Sequence, residues 1–379
     1  MKIKSKAVKL MLITTLLLIT LIGCGNTDKK ETELSNVVNM ANTEEKESEA
    51  EETISDNSVK TVVQPERELT LTFVGDCTLG RFKGMSYEGS FDEYYDTNGP
   101  DFFFENVKEI FEKDDFTVIN LEGPLTDLEA TANKQFPISC LSEHVEVLTN
   151  SSVEVANLAN NHIRDAGEQG FEDTKQILTE NKIGYFGENN IYVTEKNGIR
   201  IGFAGYRGFL INDDLREQIK SDIEYIKAEQ EAQIAVVVFH YGIERENYSN
   251  SEQEGISRYA VDTGADIVIG GHPHVMQGIE IYNGKTICYS LGNFSFGANK
   301  NPKDKDTFIY QQTFSLNENN EVEYKEHTVI PCRISSRTDW NDYKPTPLHN
   351  EDYERVISRL KEYSSKYETS IFDVMESQQ

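Results

Sequence analysis

Side chains with the chemistry of metal ligands recur along this sequence, each just after a short run of apolar, β-branched residues. Residues 69–74 run into Gly75 and Asp76, residues 116–121 end on Glu122, and residues 153–159 lead to Asn160, Asn161 and His162. Residues 234–239 deliver His240, and residues 266–269 open into Gly270, Gly271, His272, Pro273 and His274. In an open α/β sheet the loops beyond the carboxyl ends of the strands line one crevice, so ligands dispersed in sequence converge in space. Carboxylate, amide oxygen and imidazole together suit a borderline divalent cation. The His-Pro-His turn is the sharpest local signal. Extended residues two apart point the same way, and Pro273 biases His272 toward extended backbone. A lone His-x-His is usually incidental, but beside His240, Asn161 and two strand-end acids it reads as part of a metal site.

The elements that must position these groups follow from hydrophobic periodicity. Buried strands are expected at 69–74, 116–121, 153–159, 234–239 and 266–269, with a Gly- and Tyr-rich loop over 75–100. Amphipathic spacing predicts helices over 103–112, 167–178, 213–230 and 251–263, and a C-terminal helix over 351–363. Asn197-Gly198 and Asn283-Gly284 mark hairpin turns, and further strands are expected at 307–316 and 321–330. Alternating strands and helices followed by an antiparallel tail imply an α/β fold, a layered sandwich of two packed mixed sheets flanked by helices. The pattern alone does not separate that from a single doubly wound sheet.

The remaining sequence bounds location and partners. Lys2, Lys4, Lys6 and Lys9 precede an apolar stretch over 10–22, too short for a confident membrane span. It ends in Leu21-Ile22-Gly23-Cys24, which resembles the lipobox of bacterial lipoproteins. That resemblance implies cleavage before Cys24 and a diacylglyceryl anchor on its thiol, placing the chain on the extracytoplasmic face of the cell membrane. Residues 25–68 are polar and nearly free of aromatics, the composition of a disordered tether. The expected organisation is a leader over 1–24, the tether over 25–68, the folded α/β domain over 69–335 and a helical extension over 336–379. A formal net charge of −28 argues against nucleic acid as a partner. Cys77, Cys140, Cys288 and Cys332 contain no CxxC pair, so free thiols or at most one bridge are expected.

Gly75-Asp76-Cys77-Thr78-Leu79-Gly80-Arg81, Asn120-Leu121-Glu122-Gly123-Pro124 and Asn160-Asn161-His162-Ile163-Arg164-Asp165 are three blocks of a larger pattern. His240-Tyr241-Gly242, Gly271-His272-Pro273-His274 and Ser290-Leu291-Gly292-Asn293-Phe294 complete it. Across residues 69–296 the chain resembles the CapA-type capsule proteins. These are associated with poly-γ-glutamate synthesis or export and belong to the calcineurin-like metallophosphoesterase superfamily. The resemblance implies one or two divalent metal ions, with Mn, Zn, Fe and Mg all compatible with the donors. It makes Asp76 and His274 ligands of a first metal, Glu122 the bridge, and Asn161, His240 and His272 ligands of a second. His162, oriented by Asp165, would face the substrate oxyanion or leaving group. The chain departs from phosphoesterases at Thr78, where a His usually completes the first site, and at Glu122, where the bridge is usually Asp. One strong and one weak metal position would follow. Arg81 and Arg164 are equally well read as substrate-facing cations or as structural ion-pair partners. Asn293 is expected to brace the site, and Cys77 to point away from it.

Two readings follow: a component of capsule-polymer biosynthesis or export, with synthase or exporter subunits as partners, and a metal-dependent phosphoester hydrolase of unassigned substrate. A solute-binding lipoprotein would explain the anchor but not the ligand-bearing strand ends.

Overall fold

The computed structural model describes residues 67–377; the leader, Cys24 and nearly all of the tether lie outside them. Two mixed sheets face each other. From edge to edge the larger one runs Thr346–Pro347, Val322–Arg333, Asp306–Leu316, Arg67–Thr78, Phe116–Leu121, Val155–Asn157 and Gly184–Phe186. Asn293–Phe296 pairs in parallel with the far end of Arg67–Thr78. The second sheet runs Ile279–Tyr282, Lys285–Cys288, Ile267–Gly271, Ile234–Tyr241, Ile199–Gly208 and Tyr192–Lys196. The ladders carrying the site's strands are parallel, as is the Gly184–Phe186 edge, and antiparallel pairs close the other edges.

Side-chain alternation builds the layers. Val236 and Val238 join Leu69, Leu71, Phe73 and Val118 between the sheets. Ala235, Val237 and Phe239 turn the other way, onto Ile219, Ile223, Ile256 and Ala260. On the outer face of the larger sheet, Ile119 and Leu121 pack with Phe104, Phe171 and Leu178. Two sheets with helices outside is therefore the architecture, and the doubly wound alternative is set aside. A strand buried on both faces reads as one apolar run, which is why the sequence left that choice open. Each such side chain contributes about 1.5–3 kcal/mol of burial free energy.

The strand expected over 153–159 shortens to Val155–Asn157, and the structure differs from expectation in three further places. The 75–100 stretch is not all loop. Strand Arg67–Thr78 continues into it, and helix Phe91–Asn98 follows, its Ser90 cap accepting from Glu93 N at 3.4 Å. The 103–112 helix shrinks to Lys108–Phe111 after a 3₁₀ turn at Pro100–Phe102. Adjacent Phe103 and Phe104 pack on different rings, Phe91 at 4.1 Å and Phe294 at 5.9 Å, and Val107 leaves helical geometry. The 213–230 helix is α over Asp213–Glu224 and a π turn over Tyr225–Glu229, which seats Ile226 over Gly202, where a Cβ would approach to 2.5 Å.

Helix Asn350–Ser364 and its successor Ile371–Ser377 bury Val356, Leu360, Ile371 and Phe372 in the core between the sheets. The four cysteines after Cys24 are buried free thiols. Among the described residues no helix is long and apolar enough to cross a membrane.

Candidate metal centre

The site lies where the parallel strands end, and the strand backbones aim its side chains. Leu69, Leu71 and Phe73 face the inter-sheet core and Val74 the outer one. Regular alternation would send Asp76 outward after Val74. The ladder with Phe116–Leu121 slips register between Phe73 and Asp76, and this bulge turns Asp76 inward. Gly75 makes the bulge possible, since a Cβ there would lie 2.1 Å from the Gly292 carbonyl oxygen, which instead accepts from Asp76 N at 2.9 Å. Cys77 then points into the outer core, as expected, and burial pushes its thiol up to about 12.

On the neighbouring strand Val118, Asn120 and Glu122 share the inner face, and across the cleft Val236, Val238 and His240 do the same. Gly271 leaves room for the carboxylate, because a Cβ there would come within 2.6 Å of Asp76 Oδ1. One expectation fails here. The His-Pro-His turn is not extended: His272 has φ 93° and His274 φ 57°. Positive φ in a non-glycine residue stores strain of order 1–3 kcal/mol and clusters at functional sites. Contacts on both sides hold it, His272 N donating to Asp76 Oδ2 at 3.1 Å and Arg245 N to Pro273 O at 2.8 Å.

Asp76, Glu122 and His274 each offer a ligand atom within 4.8 Å of the others. His274 Nδ1 lies 3.3 Å from Asp76 Oδ2, and its Nε2 lies 3.8 Å from Glu122 Oε1. The same Glu122 oxygen has His240 Nε2 at 3.7 Å and His162 Nε2 at 3.9 Å. The three separations to Glu122 Oε1 are too long for hydrogen bonds. They are near the spacing of about 3.4 Å expected between two donors sharing one tetrahedral ion. Both Glu122 oxygens, His272 Nδ1 and Thr78 Oγ1 are buried without a hydrogen-bond partner. A buried carboxylate with neither oxygen bonded is costly, and a cation is the group that would satisfy it. The donor set therefore fits a divalent metal.

Charge within the site is strongly perturbed. Burial pushes the Glu122 carboxyl up, to about 8. Burial would raise Asp76 as well, but its hydrogen bond to His274 and the imidazole charges hold it at about 2. Burial alone would lower His274, yet the Glu122 and Asp76 carboxylates keep it well above the usual imidazole range. Burial depresses His240 and His162, and takes His272 to about 4. The neutral imidazoles that burial favours are the form that binds metal.

Asn161 and His240 meet directly, His240 Nε2 to Asn161 Oδ1 at 2.8 Å. His162 Nδ1 lies 2.7 Å from Asp165 Oδ2, and since an ionised Asp only accepts, that nitrogen carries the proton and Nε2 is left as the acceptor facing Glu122. Asn293 Oδ1 braces His274 Nδ1 at 2.8 Å. Arg81 and Arg164 are ion-paired, to Asp92 and to Glu188.

Three residues were not singled out in the sequence. Asn120 Nδ2 donates to Asp76 Oδ1 at 2.8 Å and lies 3.2 Å from His240 Nδ1, while its Oδ1 accepts from Asn157 at 2.9 Å and Asn160 at 3.3 Å. It sits two residues before Glu122, so the alternation rule would have found it. Lys134 and Phe209, whose ring lies 4.6 Å from His272, come from loops that carry no periodic signal.

The fold and the site together define a layered α/β sandwich with a candidate metal centre, lined by acids and imidazoles, at its strand ends. Residues 70–298 match the profile of the bacterial capsule synthesis protein family PGA_cap, and the chain belongs to that family. It is 34% identical over 248 residues to the PGA biosynthesis protein CapA of Bacillus subtilis, covering 60% of this chain and 63% of that relative. It is 30% identical over 338 residues to the capsule biosynthesis protein CapA of Bacillus anthracis, covering 82% and 77%. Among solved structures it is similar to the NAD nucleotidase NadN of Haemophilus influenzae, with 12% identity, TM-score 0.39 and coverage of 80% and 65%. It is also similar to the purple acid phosphatase PPD1 of yellow lupin, with 12% identity, TM-score 0.32 and coverage of 76% and 55%.

Proposed function

We propose that this chain is a lipid-anchored, extracytoplasmic component of poly-γ-glutamate capsule biosynthesis or export whose working part is a centre of one or two divalent ions. Family membership and the two CapA relatives support the capsule role. The carrying observation is Glu122, buried with neither oxygen bonded and ringed by three imidazoles. Asp76, Glu122 and His274 would hold one ion; Asn161, His240 and His272, sharing Glu122, would hold a second. A bound divalent ion supplies Lewis-acid polarisation of an acyl or phosphoryl oxygen. Asp165 fixes the ring of His162, leaving Nε2 to accept a proton from, or after protonation return one to, a substrate atom. Phe209, itself exposed, packs edge-on against the His272 ring at 4.6 Å.

Cys24 anchors the chain to the membrane beside synthase or exporter partners. Deleting the gene from its own organism should abolish surface polymer; wild type restores it and Glu122→Ala does not. Polymer unchanged by deletion overturns the capsule role. Mass spectrometry of the membrane-extracted chain should find diacylglyceryl-Cys24 as its first residue, and an unmodified Cys24 overturns the anchor.

A second reading, phosphoester hydrolysis outside capsule assembly, is favoured by one observation, the His162–Asp165 pair, which is built for proton transfer rather than for packing. Turnover of a phosphoester by metal-loaded protein, lost in His162→Ala with metal retained, would support it.

A further inference from the structure

The loop after Glu122 closes over Asp165. Thr131 N and Ala132 N donate to the Asp165 carbonyl oxygen at 2.7 and 3.0 Å, and Ile138 N donates to Asp165 Oδ2 at 2.6 Å. From the same loop, Lys134 Nζ reaches Asp165 Oδ1 at 2.5 Å and the Asn161 carbonyl oxygen at 2.7 Å. One ammonium thus ties together both ends of the turn that carries Asn161 and His162. Beyond each end lies a site contact: Asp165 Oδ2 to His162 Nδ1 at 2.7 Å, and Asn161 Oδ1 to His240 Nε2 at 2.8 Å. The Asp165 side chain is 2% exposed and that of Lys134 30% exposed, so the cation enters from the rim.

We propose that Lys134 is a positioning residue of the metal centre, locking the Asn161–Asp165 turn so that His162 keeps Nε2 toward Glu122. This rests on the reading that His162 takes part in chemistry there. A purely structural ion pair would need only the carboxylate. The second bond, to the Asn161 carbonyl, fixes the backbone of the residue whose side chain meets His240, and so serves the site. Ile163 seats the middle of the turn in the outer core, and the charge-assisted bonds of Lys134 fix its two ends.

The test compares full-length wild type with Lys134→Met, Lys134→Gln and Lys134→Arg, all metal-loaded. The first readout is the exchange-protected His162 Nδ1–H proton signal by NMR, assigned by its loss in His162→Gln; the second is metal stoichiometry; the third is turnover of any phosphoester that wild type cleaves. Lys134→Met and Lys134→Gln should keep metal but lose protection of the His162 signal. Their kcat should fall roughly 10–100-fold with KM little changed, the size of loss that follows misplacing a reacting group by about 1 Å. Lys134→Arg, which keeps the charge, should recover much of both. A His162 signal protected as in wild type in the two neutral variants overturns the proposal. Failure of both neutral variants to fold also overturns it, in favour of a structural ion pair. Wild type that cleaves nothing sinks the hydrolytic reading instead, and the NMR signal then decides the role of Lys134 alone.

Discussion

Replacing Glu122 by Gln should shift stability in opposite directions with and without metal. In metal-free protein the buried carboxyl titrates near 8 instead of its ordinary 4.5, because burial disfavours the anion. Between those values the folded state holds a proton that the unfolded state has released, so stability falls as pH rises through the window. At about 1.36 kcal/mol per pH unit the loss from 4.5 to 8 reaches at most about 4–5 kcal/mol. His274 does not offset this: its attraction to the carboxylate already lies within the value near 8, and, held protonated above the usual imidazole range, it adds to the fall as pH rises. Glu122→Gln removes this titration. Thermal unfolding in chelator should show the variant melting several degrees above wild type at pH 8 and close to it at pH 5.

With a divalent ion at about 10,000 times its Kd, wild type gains about 5.5 kcal/mol by mass action. The variant, lacking the shared anionic ligand, gains little, so the order of melting temperatures inverts. The refuting results are a variant less stable than wild type in chelator at pH 8, or equal metal-induced shifts in the two proteins. Either would mean that Glu122 has a partner other than metal.

Three further outcomes follow from the same geometry. His240→Ala and His272→Ala should each lower metal content by elemental analysis and erase part of the metal-dependent rise in melting temperature; full stoichiometry in both would remove them from the ligand set. Thr78→His should tighten the weaker metal position at least tenfold in a calorimetric titration, because Thr78 is buried on the face of Asp76 with an unpartnered hydroxyl; an unchanged isotherm would place it outside the centre. Glu154, which accepts from Thr117 N at 2.8 Å and is pushed by burial to about 7, destabilises the fold as pH rises from its ordinary 4.5 through 7. Glu154→Gln keeps an acceptor and should flatten that part of the stability profile, a result that chemical denaturation at successive pH values would check.

What the sequence carried, and what it could not, divides along physical lines. Strand ends were legible because a buried parallel strand is a continuous apolar run and the residue that ends it differs sharply in type, as at Glu122 and His240. Which face each residue takes was less so. Asp76 reaches the inner face only through the bulge at Gly75, a one-residue slip that the missing side chain of Gly75 permits by letting Gly292 approach. The His-Pro-His turn shows the opposite failure. Local preference favours extended backbone before proline, yet tertiary contacts from Asp76 and Arg245 hold His272 and His274 at positive φ. Lys134 was out of reach for a third reason: its role depends on two atoms of a turn more than twenty residues later, the Asn161 carbonyl oxygen and the Asp165 carboxylate. Periodicity locates the elements that carry the ligands, but the groups that hold those ligands in place come from bulges and loops, where spacing in sequence carries no record of distance in space.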